Sequence, residues 1–355
     1  MKTLRIVFFG TPEIAVPSLE GLLAGPHEVV GVVSQPDRGR GRGRKLSPSP
    51  VSAVAIREGL PLLRPEKVGA PETIEALRAL APDLGVVVAF GQFLPKKVRE
   101  LPTYGYLINA HASLLPKYRG AAPIARVILE GESETGISIM RIEKEMDAGP
   151  VALVRRTAIG ATENTAELTQ RLAGIAAAAL ASATDLIARS EVDWIDQDAS
   201  AATLAAKIEK SDSVLDLRES AKALACRIHA LSPKPGGSVT LRSRSEGESE
   251  DLVLKISRAE AVPFEAGTSV PPGTIEAIEG PAPLRIATGE GWLLPKVLQR
   301  PGGKALPASD FLRGFAIPNA AQLVVAPTPI EPREPADTTK STRESGSSDQ
   351  GPEPL

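Results

Sequence analysis

Residues 4–12 read Leu-Arg-Ile-Val-Phe-Phe-Gly-Thr-Pro, an apolar run that stops at Gly10 and is followed by Thr11-Pro12. Such a run is a buried β-strand, and a capping residue followed by proline opens a helix. Pro17 leaves the exact start of that helix open. The same alternation repeats downstream. Buried strands are expected at 28–34 (EVVGVVS), 84–89 (LGVVVA), 106–110, 136–142 and 151–157. Helical spacing marks 51–58, 72–80, 121–130 and 165–188, the last opened by an Asn164/Thr165 cap. Continuously apolar strands, each followed by a helix, define an α/β, Rossmann-like, mostly parallel sheet covered on both faces. No G-x-G-x-x-G follows the first strand, which argues against NAD or FAD.

After about residue 191 the composition changes. The stretch 191–206 reads as a linker and 207–230 has a helical pattern. Short strand-like runs follow at 237–241, 251–260, 273–277, 284–288 and 291–299, separated by turn residues. Five short strands in about a hundred residues suggest a small β-barrel or sandwich. The expected division is a catalytic domain over 1–190, a linker over 191–206, a barrel domain over 207–325 and a disordered tail over 326–355. The tail is rich in Pro, Ser, Thr and charge and has few residues to bury.

With 355 residues and 42% hydrophobic content, the chain can build two packed cores. Only 3% is aromatic, so those cores rest on Leu, Val, Ile and Ala. One cysteine, Cys226, permits no intrachain disulfide and points to a reducing, cytoplasmic setting. The run 4–9 is too short for a signal or membrane segment, and the Ala-rich run 175–187 is interrupted by Asp185, as suits a packed helix. The net charge is −2; the tail from Glu331 holds six acids against three bases, leaving the remainder at +1. Any affinity for nucleic acid must therefore be local.

The chemistry-bearing stretch is 104–124, YGYLINAHASLLPKYRGAAPI. Asn109 and His111 stand two apart at the end of an apolar strand and share one face. The carboxyl ends of strands in open α/β sheets form the ligand crevice. Asp147, in KEMDAGP (144–150), follows the strand 136–142. Together, Asn can donate to an oxyanion, His can polarise that oxygen or move a proton from an attacking amine, and Asp can orient the imidazole. Taken alone, Asp147 serves equally well as a turn residue before Gly149-Pro150. His27, in a loop, and His229, in a helix, read as structural. Three scattered histidines and one cysteine give no metal-ligand cluster, and no metal is expected.

A second stretch, QPDRGRGRGRK (35–45), places Arg38, Arg40, Arg42, Arg44 and Lys45 within eight residues, alternating with glycine. Glycine disfavours helix and strand, so a mobile basic loop is expected. It suits a phosphate backbone, with affinity that falls with salt, or it is simply a solvated loop.

These segments resemble the methionyl-tRNA formyltransferases. The likeness is carried by FFGTPEIAVPSLEGLL (8–23), SQPDRGRGRGRKLSPSPV (34–51), VVAFGQFLP (87–95), INAHASLLPKYRGAAPI (108–124), TGISIMRIEKEMDAGPV (135–151) and, more weakly, QDASAATLAAKIEKSD (197–212). It implies a formyltransferase domain followed by an OB-like barrel that helps to hold tRNA. It implies transfer of the formyl group of 10-formyltetrahydrofolate to the methionine α-amine of initiator methionyl-tRNA, without a metal. Asn109, His111 and Asp147 match the family's catalytic trio. The pterin is expected against Phe90, Gly91, Gln92 and Leu94 and against Ser113, Leu114, Leu115 and Pro116. Arg38 to Lys45 would grip the acceptor stem, and the molecule would act as a monomer away from membranes. The family's Asn-Pro-Trp-Pro-Gly is here Ser-Pro-Lys-Pro-Gly over 232–236. The competing reading is a folate-dependent formyltransferase for a small amine such as glycinamide ribonucleotide or a sugar amine. That enzyme shares the trio but has no use for the basic loop.

Overall fold

The computed structural model describes residues 2–40, 45–245, 248–267, 269–280, 283–317 and 321–325. The opening run forms β1 (Arg5–Gly10), followed by a 3-10 turn over Glu13–Ala15 and α1 (Val16–Leu23). Pro17 lies in the first turn of α1, where its missing N–H costs no helical bond, and this fixes the helix start. Thr11 does not cap that helix; its hydroxyl donates to the Phe90 carbonyl instead.

The alternation continues through β2 (Glu28–Val33), β3 (Arg38–Arg40), β4 (Lys45–Ser47), α2 (Pro50–Arg57), β5 (Leu62–Leu63) and α3 (Pro71–Ala79). Then come β6 (Leu84–Val88), α4 (Lys96–Arg99), β7 (Leu107–His111), β8 (Arg119–Gly120), α5 (Pro123–Leu129), β9 (Glu134–Arg141), β10 (Val151–Ala158) and α6 (Thr165–Arg189). The main sheet has the order β10-β9-β7-β6-β1-β2-β5. Its strands β7, β6, β1, β2 and β5 are parallel, whereas β9 runs antiparallel to β7, and β10 antiparallel to β9.

Alternate residues of β1, β6 and β7 feed opposite cores. Ile6, Phe8, Val86 and Ile108 pack with Leu19 of α1 and Leu172, Ala176 and Leu180 of α6. Val7, Phe9, Val87 and Leu107 pack with Ile74 and Leu77 of α3. A sheet buried on both faces explains the unbroken apolar runs. Helix α6 is long and apolar enough to cross a membrane, yet it buries Leu168, Leu172, Leu180 and Ile187 in this core. Its N-terminus carries a capping box in which Asn164 and Glu167 satisfy each other's backbone.

The expected helix over 207–230 is shorter in fact. Only α7 (Ala221–Ala230) is α-helical; before it, Leu215 and Leu217 are buried in a core while Val214 bridges Ser238. Two apart, these leucines share a face only in extended backbone, which is how both come to be buried. The strands β12 (Gly237–Ser245), β13 (Glu248–Val262), β14 (Ile275–Ala277), β15 (Leu284–Ala287) and β16 (Trp292–Gln299) follow. Two strands not anticipated, β17 (Leu306–Pro307) and β18 (Gln322–Val324), complete the sheet, with α8 (Ala308–Gly314) between them. The order β14-β15-β16-β13-β12-β18, with antiparallel neighbours, wraps a core closed by α7 and α8, an OB-like barrel.

The basic stretch has strand at its described ends, where a loop is expected. Its described ends pair as a short antiparallel hairpin, Arg38 opposite Ser47 and Arg40 opposite Lys45. The pairing uses backbone groups that glycine also has, so Gly39 does not prevent it. Arg42 and Arg44 lie outside the described residues, as does the tail 326–355.

Candidate active site

The parallel strands β6 and β7 end at a cleft of about 740 Å³. Its walls come from the segment after β6, the end of β7, the start of α5 and the loop between β9 and β10. Asn109 and His111 both line it, as their two-residue spacing on β7 demands. The Asn109 carboxamide makes no hydrogen bond with the described residues, so it is free to donate into the cleft. His111 is 5% exposed, and its Nε2 lies 2.8 Å from the Tyr118 carbonyl oxygen. A carbonyl only accepts, so Nε2 carries the proton and Nδ1 faces Asp147, whose Oδ2 is 3.5 Å away.

Asp147 arrives by a different route from the one its strand suggested. Because β9 is antiparallel to β7, its last residue Arg141 stands opposite Ile108, at the beginning of β7. The loop that follows carries Asp147 to His111. Its ends are pinned where the Arg141 N–H donates to the Pro150 carbonyl at 3.0 Å. Gly149 is required there, since a Cβ would stand 2.0 Å from the Arg141 carbonyl oxygen. The Asp147 carboxylate accepts the Gly120 N–H on Oδ2 at 2.9 Å, which leaves Oδ1 without a partner among the described residues.

Two features of the site lie in stretches that carry the family resemblance, yet the sequence assigns them no role. The first is the linker. Leu204–Ala205, β11, pairs in parallel with β8, and the Thr203 hydroxyl accepts the Tyr118 N–H at 2.9 Å. Gln197 donates to the carbonyl oxygens of Asp147 and Gly149 at 2.8 and 2.7 Å and accepts from Arg119. The Arg141 guanidinium lies over the rings of both Trp194 and Tyr106, which meet edge to face, with ring centres 4.2 and 4.3 Å away. The second is the Tyr118 side chain, whose hydroxyl donates to Glu132 at 2.8 Å. Burial, then that carboxylate, push the phenol's pKa up, so it remains an O–H donor.

The segment after β6 brings Phe90, Gly91, Gln92 and Leu94 to the cleft, together with an exposed Phe93. Phe90 packs edge-on against Phe9 and so is held by the core. The Gln92 carboxamide is spent on the Val68 N–H and the Pro65 carbonyl, which fixes this wall from behind. Ser113, Leu114, Leu115 and Pro116, expected against the pterin, are not among the residues that line the cleft. Ser113 is fully buried and its hydroxyl donates to the Lys117 carbonyl, while the Leu115 N–H donates to Ser138. These bonds fold the turn that presents Tyr118 to His111.

Arg38, of the basic stretch, sits beside this wall. Gln35 donates to the Phe90 carbonyl at 3.2 Å and accepts from the exposed Arg38 at 2.9 Å. The hairpin therefore springs from the same edge as the cleft. The other histidines are structural: His27 accepts the Leu4 N–H and faces Asp185, and His229 accepts the Ala259 N–H. No group of three metal-ligating side chains occurs among the described residues.

A formyl transferase family model matches residues 4–184, and a model of the formyl transferase C-terminal domain matches 207–316. Fold and site thus define a formyl transferase. Curated relatives narrow this. The chain is 44% identical over 314 residues to a methionyl-tRNA formyltransferase of Methylococcus capsulatus, covering 88% of this chain and 98% of that one. It is 42% identical over 317 residues to the enzyme of that name from Citrifermentans bemidjiense, covering 89% and 95%. The chain belongs to the methionyl-tRNA formyltransferase family.

Solved structures share the fold at low identity. An N-formyltransferase from Helicobacter canadensis, in complex with folinic acid and dTDP-3-aminofucose, aligns with a TM-score of 0.57 at 16% identity, over 82% of this chain and 99% of that one. HypX from Aquifex aeolicus, in complex with tetrahydrofolic acid, aligns with a TM-score of 0.55 at 18% identity. That alignment covers 88% of this chain and 47% of HypX, so the chain spans about half of HypX's length.

Proposed function

We propose that the protein transfers the formyl group of 10-formyltetrahydrofolate to the α-amine of methionine on initiator tRNA, in the cytoplasm and as a monomer. The observation that carries the chemistry is the His111–Asp147 pair lining one cleft with Asn109. The cleft suits a reduced folate in size and in its apolar wall of Phe90, Phe93 and Leu94, since small-molecule sites span roughly 300–1,000 Å³. When bound, the folate supplies an activated formyl group on N10.

Each residue then has a task. The unpartnered Asn109 amide donates to the formyl oxygen as negative charge develops there, the stage at which a fixed donor counts most. The unpaired Oδ1 of Asp147 accepts a proton of the attacking amine. His111, anchored through Nε2 by Tyr118, holds Nδ1 toward the carboxylate and stabilises the pair while it carries that proton. As the new amine–carbon bond forms, the bond from N10 to the formyl carbon breaks, and the proton is returned to N10 directly or through water. No covalent enzyme intermediate is needed.

The domain division follows the same reading: residues 1–190 carry the chemistry, 207–325 contribute to tRNA binding and 191–206 join them. The basic hairpin at the cleft edge would grip the acceptor stem. The test is a substrate comparison, with purified protein, 10-formyltetrahydrofolate and either methionine-charged initiator tRNA or glycinamide ribonucleotide, read by mass spectrometry. Formylated tRNA alone is expected. Product on the small amine alone would keep the trio's chemistry and overturn the tRNA assignment.

A further inference from the structure

Asp147 has φ 51°, in the left-handed region. A non-glycine residue is uncommon there, and although Asp tolerates the region better than most, its surroundings must hold it in place. The carboxylate is anchored by Gly120, on β8. The backbone is anchored by Gln197, fifty residues away in sequence, whose single NH2 group donates to the carbonyl oxygens of both Asp147 and Gly149. The other end of that carboxamide closes a ring: Oε1 accepts both Nε and Nη2 of Arg119, the neighbour of Gly120, at 3.0 and 2.8 Å. Gln197 therefore ties the backbone of Asp147 to the strand that holds its side chain.

The linker around Gln197 is itself fixed. Ile195 and Val151 exchange backbone hydrogen bonds at 2.8 and 2.9 Å, and Trp194 covers Arg141. We propose that Gln197 is a positioning residue for formyl transfer: by holding Asp147 in its left-handed conformation it sets the aim of the carboxylate at His111. This rests on the roles given above to Asp147 and His111. It makes the segment joining the two domains part of the catalytic geometry, so that whatever displaces the linker also switches off the pair.

Gln197→Glu tests this, because it keeps the length and the acceptors for Arg119 but has no N–H for the two carbonyls. A misplacement of about 1 Å can cost a hundredfold in rate. We expect kcat to fall roughly ten- to a hundredfold, with KM for charged tRNA and the melting temperature little changed. Combined with Asp147→Asn, it should cause no further loss, since residues acting through one group are not additive. Should the new carboxylate unfold the loop, Gln197→Met has the same reach without a donor and serves the same cycle. Normal kcat in the Gln197 variants beside a slow Asp147→Asn would overturn the inference and leave the site standing. Losses that multiply in the double variant would also overturn it. A fully active Asp147→Asn would remove both.

Discussion

His111 is surrounded rather than presented: Tyr118 takes one ring nitrogen, Asp147 faces the other, and the side chain is nearly closed off from solvent. We expect His111→Ala to reduce kcat/KM for formylation by about a hundred- to ten-thousandfold, the usual range for a positioned proton-transfer group. The fold should survive, at a cost of about 1–3 kcal/mol for the Tyr118 carbonyl left without its donor. Single-turnover formylation and a denaturant titration on the same preparation separate the two effects; a near-normal rate would refute the mechanism. At this scale the sequence was partly legible. Asn109 and His111 could be paired because strand periodicity is local, and Asp147 because its loop is short. Gln197, Thr203 and Tyr118 could not, because each acts through a backbone atom whose partner is set only by tertiary folding.

Among the elements, the parallel strands were readable because burial on both faces leaves continuous apolar runs. The 207–220 stretch departs from the expected helix because Leu215 and Leu217, two apart, are both buried by backbone that is not helical. The antiparallel sense of β9 left no local mark either. The entry of β1 and β6 into the sheet shows what a single polar group can do. Asp83, just ahead of β6, accepts the Arg5 N–H of β1 and the Lys2 ammonium, each at 3.0 Å. Burial raises its pKa, but these two donors outweigh burial and hold it below the ordinary carboxylate range. A carboxyl depressed in the folded state contributes stability above its unfolded pKa of about 3.9 and loses it as pH falls through the folded value. Asp83→Asn should therefore be less stable than the parent near neutrality. The gap should close as pH is taken below about 4. Denaturant unfolding at a series of pH values measures this, and a gap that stays constant down the acid limb would show that Asp83 is not the group responsible.

For the whole molecule, the question is how a chain of net charge −2 attracts a polyanion. Overall charge offers no attraction, so the cations must be concentrated where the substrate's reacting end is needed. On the proposed reading the basic hairpin does this: its Arg38 is exposed and bonded to Gln35, which in turn holds the Phe90 wall of the cleft. Five cations between Arg38 and Lys45 would then act at the site's edge, steering the acceptor stem toward His111 and Asp147. Replacing Arg38, Arg40, Arg42 and Arg44 together by Ser should raise KM for charged tRNA strongly while leaving folate affinity unchanged. The dependence on salt is the sharper readout. Each cation that contacts a phosphate steepens the fall of affinity with salt, and losing it flattens the log–log slope by about one. The quadruple variant should thus lose most at low salt and converge on the parent as salt is raised. Identical tRNA kinetics and an identical salt slope would mean that the hairpin is only a solvated loop, and that the barrel domain must supply the affinity.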